Sequence, residues 1–246
     1  RPPGFNPCQA SCSQKVHLVF IIEGQNWSMF TSLLRLAKDI VFPLFCAGCK
    51  KEGTALCGTC ARSIKNFKDP WFRLPDAPEI FRIFAPFRYE EGKTLATLIH
   101  LYKYGFAFEL HKILCELILP LLLTHKEAFA ESVLVPIPLH KKRLKWRGFN
   151  HAGLIAQECA KAIHAPLIPL LCRRKNTKPQ AELTRTERLT NLQDAFSTEL
   201  KIINPPKRVF LVDDVVSTGS TLTEAARALR KDFDGEINAL VIARNI

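Results

Sequence analysis

The stretch "RVFLVDDVVSTGSTLTEAARALRK", residues 208–231, decides how the rest of the chain is read. Val209, Phe210, Leu211 and Val212 form a continuous apolar run, the pattern of a central strand buried on both faces. Asp213 and Asp214 follow at its carboxyl end. Adjacent carboxylates repel each other, so they persist where they sit in water or meet hydroxyls or a cation. After Val215 and Val216 come Ser217, Thr218, Gly219, Ser220 and Thr221, small and rich in hydroxyls, and then a helical pattern with Leu222, Ala225, Ala226 and Leu229 on one face. A helix N-terminus offers free backbone N–H groups and the positive end of a dipole, and Gly219 allows a phosphate close to the backbone. The combination suits a sugar phosphate, with the phosphate on the turn and the sugar hydroxyls on the aspartates. A polar loop that merely caps its helix is the better reading of any lone Ser-Thr-Gly turn. The full order of strand, acid pair and turn is more specific.

Further strand-like runs, "IFRIFAPFRY", "SVLVPIP", "APLIPLL" and "INALVIAR", alternate with helix-like runs such as "KTLATLIHLYKYG" and "AGLIAQECAKAI". Such alternation predicts an α/β fold with a mainly parallel sheet and helices on both faces, which binds ligands at the carboxyl ends of its strands. "VPIPLHKKRLKWRGFNHA", residues 135–152, again places a strand before a charged loop. Its lysines read as a solvated face. Arg143 and Arg147 are the better anion ligands, because guanidinium grips phosphate oxygens in bidentate fashion. Trp146 and Phe149 beside them also permit stacking of single-stranded nucleic acid along a basic groove.

The strand, acid pair and Ser-Thr-Gly-Ser-Thr turn of residues 209–221 resemble the phosphoribosyl-pyrophosphate (PRPP) signature of type I phosphoribosyltransferases. That run and the basic stretch of residues 135–152 carry a second likeness. Together with "RRKNTKPQAELTRTERLTNLQDAF", residues 173–196, and "LIHLYKYG", residues 98–105, they resemble the ComF family (ComFC or GntX type) from about Phe42 onward. His151 departs from the family, which commonly has Gln after "RGFN", and the departure bears on hydrogen bonding there. The resemblance implies a type I phosphoribosyltransferase-like sheet that binds PRPP with Mg²⁺. Catalytic Asp213 and Asp214 would hold the ribose. Val215, Val216, Ser217, Thr218, Gly219, Ser220 and Thr221 would bind PRPP, with Ser217 to Thr221 on the 5-phosphate and Arg143 and Arg147 on the pyrophosphate. Arg173, Arg174, Lys175, Lys178, Gln180, Arg185, Arg188 and Asn191 fall where such enzymes carry a closing loop.

"CAGCKKEGTALCGTC" places Cys46, Cys49, Cys57 and Cys60 in two C-x2-C turns. Each turn presents two thiolates to one metal, and the two complete a tetrahedral Zn²⁺ site with no open position, hence structural. The resemblance agrees, since ComF proteins commonly carry such a finger. Cys115, Cys159 and Cys172 lie in apolar stretches and read as core packing.

A Pro-rich connection, "KDPWFRLPDAPE", divides a zinc module over residues 29–66 from a phosphoribosyltransferase-like domain over 67–246. Met29 is the only methionine and is expected to be the natural start, which makes residues 1–28 an extension. The chain has 246 residues and 47% hydrophobic content, enough for a real core. Its formal net charge of +12 favours an anionic partner. With no apolar run near the roughly 20 residues of a membrane span and no signal-peptide pattern, the protein reads as cytoplasmic.

Two functions follow from the resemblance. One is transfer of a phosphoribosyl group with release of pyrophosphate, associated with competence and DNA uptake. The other is a non-catalytic sensor of PRPP or a nucleotide that engages single-stranded DNA or competence proteins in natural transformation.

Overall fold

The computed structural model describes residues 44–105, 109–175, 194–198 and 205–245. The expected start at Met29 lies outside them, as do Lys178, Gln180, Arg185, Arg188 and Asn191.

The apolar run before the acid pair lies in strand β7 (Arg208–Val216), and Val209 to Val212 have no solvent exposure at all. Each fully buried side chain of this size contributes about 1.5–3 kcal/mol. β7 is central because both of its neighbours are parallel strands. On one side runs β8 (Glu236–Asn245), with Val209 opposite Ile237 and Leu211 opposite Ala239. On the other runs β4 (Ser132–Pro136), with Ser132 opposite Arg208. β2 (Ile83–Phe84) and β3 (Phe87–Tyr89) both pair in parallel with β8, and β1 (Trp71–Phe72) closes the edge antiparallel to β2. A separate antiparallel pair joins β5 (Leu171–Arg173) to β6 (Phe196–Thr198).

Alternation along β7 sends Val209 and Leu211 to one face and Phe210 and Val212 to the other. Helix α6 (Ser220–Arg230) covers the first face through Leu222, Ala225, Ala226 and Leu229, the stripe legible in the sequence. Helices α2 (Thr94–Tyr104), α3 (Leu110–Thr124) and α5 (His151–Ile163) cover the second. The expected α/β fold, a mainly parallel sheet with helices on both faces, is therefore present. Among the described residues no helix is long and apolar enough to cross a membrane.

Three local expectations are corrected. "IFRIFAPFRY" is two strands, β2 and β3, with Ala85 and Pro86 between them. "APLIPLL", residues 165–171, is not one strand: Leu167 makes a single bridge to Leu134 and Leu171 begins β5, because Pro166 and Pro169 have no N–H to extend a ladder between them. The charged stretch after β4 is not a loop but helix α4 (Lys141–Arg147), capped by the His140 side chain and ended by Gly148 at φ 82°.

The four-cysteine segment carries helix α1 (Gly58–Arg62), and its Ala47 and Ala55 belong to the same buried cluster as Phe84, Leu98 and Leu114. Cys115 and Cys159 are buried as expected, whereas Cys172 is only half-buried.

Candidate functional site

The carboxyl ends of β7 and β4 open into a cleft of about 1340 Å³, walled by the ends of α2 and α4. Asp213, Asp214, Val215, Ser217 and Thr221 line it from β7 and α6, and Arg143 and Arg147 line it from α4. The four-residue spacing of the two arginines puts them on one face of that helix. Both are half-buried, while Lys141, Lys142 and Lys145 are exposed. Of the remaining turn residues, Val216, Gly219 and Ser220 are buried behind the wall. Thr218 Oγ1 lies 2.9 Å from Ser220 Oγ, so these two hydroxyls bond each other. Gly219 stands at φ 76°, and a Cβ there would meet Leu74 Cδ1 at 2.3 Å. Glycine is needed for the turn's backbone and for packing under Leu74.

Each aspartate has one oxygen tied down. Asp213 Oδ1 accepts from the Asp214 N–H at 2.9 Å, and Asp214 Oδ1 accepts from the Val215 N–H at 2.7 Å. Asp214 Oδ1 also pairs with Lys103 Nζ at 2.8 Å. Burial and then the neighbouring Asp214 push the Asp213 carboxyl up to about 7, with Lys103 acting in the opposite direction. Burial alone would lower the Lys103 ammonium, but the pairing with Asp214 more than offsets it and holds it above its ordinary range.

The sequence reading missed Lys103, although a signal was present. Leu95, Leu98, Ile99 and Tyr102 form the buried stripe of α2, and Lys103 continues it four residues after Ile99. A lysine on an apolar stripe implies a buried anion. Arg173, read as part of a closing loop, instead sits on β5, buried and lining the cleft. Burial and then Arg143 lower it to about 10, so it remains cationic at neutral pH. Tyr104 and Trp146 stand at the cleft wall, 42% and 58% exposed, with the Arg147 guanidinium 5.0 Å from the Tyr104 ring centroid. Arg147 Nε is buried and has no hydrogen-bond partner among the described residues.

His151 clasps α2 from α5. Its Nε2 lies 2.9 Å from the Tyr102 carbonyl, and the Tyr102 hydroxyl donates to the His151 carbonyl at 2.9 Å. Burial, followed by Arg147, pushes the imidazole down to about 4, so it is neutral at pH 7 and Nε2–H is the donor.

The cysteine sulfurs of Cys46, Cys49, Cys57 and Cys60 all lie within 4.8 Å of one another, a grouping that can hold one metal ion such as zinc. The Cys57 N–H donates to Cys46 Sγ at 3.4 Å and, ahead of an opposing burial effect, brings that thiol down to about 6. A thiolate held this way is ready to ligate. Gly48 completes the cradle, since a Cβ there would lie 2.7 Å from Cys60 Sγ.

Competence protein F of Haemophilus influenzae is 31% identical to the chain over 208 residues, which is 81% of this chain and 90% of that protein. The chain belongs to the ComF family. A second relative, competence protein ComFC of Bacillus subtilis, is 40% identical over 99 residues, 39% of this chain and 38% of that protein. The DNA utilization protein YhgH of Escherichia coli K12 is 28% identical over 194 residues, 77% of this chain and 78% of its own length. No model of a protein family matches the chain. In this ComF protein the residue after "RGFN" is His151, and the Nε2–H of its ring supplies the donor to the Tyr102 carbonyl.

Proposed function

We propose that the cleft binds PRPP or a related sugar phosphate and transfers its phosphoribosyl group, releasing pyrophosphate. The observation that carries this reading is the meeting of Asp213, Asp214, Ser217 and Thr221 with Arg143 and Arg147 across one cleft. In this reading the two aspartates accept hydrogen bonds from the ribose hydroxyls, and Ser217, Thr221 and the start of α6 receive the 5-phosphate. Arg143, Arg147 and Arg173 bind the pyrophosphate, for which the buried Arg147 Nε offers a donor. Mg²⁺ enters with the substrate as the counter-ion of its pyrophosphate. The C1–O bond to pyrophosphate breaks and the leaving group takes the electron pair. The acceptor's lone pair then closes on C1, and the acceptor proton passes to the leaving group or solvent. Catalysis is by positioning and charge stabilisation. The four thiolates hold a structural zinc.

The names of the relatives, competence protein F and DNA utilization protein, support a place in competence and DNA utilisation. The exposed Tyr104 and Trp146 beside basic residues favour a second reading, a non-catalytic PRPP or nucleotide sensor that also binds single-stranded DNA or a competence protein.

Calorimetric titration of the zinc-loaded protein with PRPP tests the first. The expected result is Mg²⁺-dependent binding that disappears in Asp213→Asn/Asp214→Asn. A well-folded wild type that binds no PRPP removes this reading. Binding without pyrophosphate release across a panel of bases, amines and nucleic-acid ends selects the sensor.

A further inference from the structure

Helix α2 ends at the cleft with Tyr102, Lys103 and Tyr104, and each of these consecutive side chains meets a different part of the site. Tyr102 is locked to His151 by two hydrogen bonds of 2.9 Å. Tyr104 lies under the Arg147 guanidinium, 5.0 Å from its ring centroid. Lys103 reaches between them to Asp214 at 2.8 Å, with 26% of its side chain exposed against 7% for Asp214. The lysine is thus anchored on both sides by its chain neighbours, and its ammonium ends at the floor of the cleft. With one Asp214 oxygen bonded to both Lys103 and the Val215 N–H, that carboxylate has a single orientation, and its Oδ2 lies outside these contacts.

We propose that Lys103 is a positioning residue for the acid pair: its ammonium fixes Asp214 and offsets the repulsion between the two carboxyls, so both can face a ligand's hydroxyls. The inference deepens the sugar-phosphate reading and rests on it for the identity of the ligand. The charge balance favours Lys103 in this role. Asp213 and Asp214 on β7 face Lys103 and Tyr104 on α2, Arg143 and Arg147 on α4, the neutral His151 on α5 and Arg173 on β5. Among them, Lys103 holds an aspartate oxygen directly, at 2.8 Å. Burial opposes ionisation of Asp213 and Lys103 counters it, so removal of the lysine has a signature that loss of packing alone does not produce.

The test follows the aspartate carboxyl carbons by NMR across pH 5–9 in the full, ligand-free, zinc-loaded chain, with Asp213 assigned through Asp213→Asn. The wild-type midpoint of Asp213 is expected near 7. It rises by about 1 pH unit or more in Lys103→Met and in Lys103→Gln, and Lys103→Arg returns it toward the wild-type value. PRPP affinity at pH 7 falls about tenfold or more in the Met and Gln variants, with the midpoint of its pH profile displaced in the same sense. The Gln variant keeps a hydrogen-bonding side chain if Met proves unable to fold. An Asp213 midpoint that stays put when the charge is removed overturns the proposal, whatever happens to affinity. If the midpoint moves but the wild type binds no PRPP at any pH, the phosphoribosyl reading fails and the role of Lys103 stands.

Discussion

At residue 151 a histidine works as a neutral hydrogen-bonding group, because burial makes its cationic form costly. The consequence is a stability that depends on pH in a known direction. The folded imidazole titrates at about 4, against about 6.5 in an unfolded chain. Acidification therefore protonates the unfolded state first, and the fold loses stability as pH falls from 6.5 through 4, by about 3 kcal/mol at the lower end. Urea unfolding of wild type and His151→Gln at pH 7.5 and pH 4.5 isolates the effect. The expected difference is a gain for the glutamine variant at the lower pH only, since glutamine donates to the Tyr102 carbonyl without titrating. Equal pH slopes for the two proteins contradict the assignment. This clasp was not legible in the sequence: the donor, His151, and the acceptor, Tyr102, are 49 residues apart.

At the level of elements, the junction of β7 with α6 and the end of α4 both turn on a glycine, and they differ in what surrounds it. Gly148 at φ 82° faces open space, whereas Gly219 at φ 76° lies against Leu74. Alanine at either position occupies a left-handed backbone conformation that costs about 1–2 kcal/mol. Gly148→Ala is expected to lose that amount and no more. Gly219→Ala is expected to lose more, because its Cβ would overlap Leu74, and adding Leu74→Ala should recover part of the difference. Thermal unfolding of the three variants checks this, and equal losses in the two single variants reject it. The local pattern of β7 and α6 was readable because four buried apolar residues and a 3.6-residue stripe are both short-range signals. Helix α4 was misread because seven residues with five cations look like a loop until Gly148 closes the helix and its arginines find the cleft.

Across the whole molecule, the four-cysteine segment and the sheet share apolar core, with Ala47 and Ala55 packed in the cluster of Phe84 and Leu98. Metal bound there holds more than its own loop. Chelation of zinc-loaded protein is expected to lower the unfolding midpoint by about 5–10 °C, the shift that roughly 2–3 kcal/mol gives a domain of this size. Cys46→Ser, at a fully buried sulfur, should cost more than Cys49→Ser at an exposed one. Calorimetric scans that show no change on chelation count against a structural metal. By itself the sequence determined the α/β class, the cysteine cluster and the order of acid pair, turn and helix, because each rests on residues close together in the chain. Which side chains share a cleft was decided only by tertiary structure. Lys103 meets Asp214 across 111 positions of sequence, and Arg173 enters from β5. Parallel strands bring such residues together at one end of the sheet through crossovers whose lengths carry no trace of the contact.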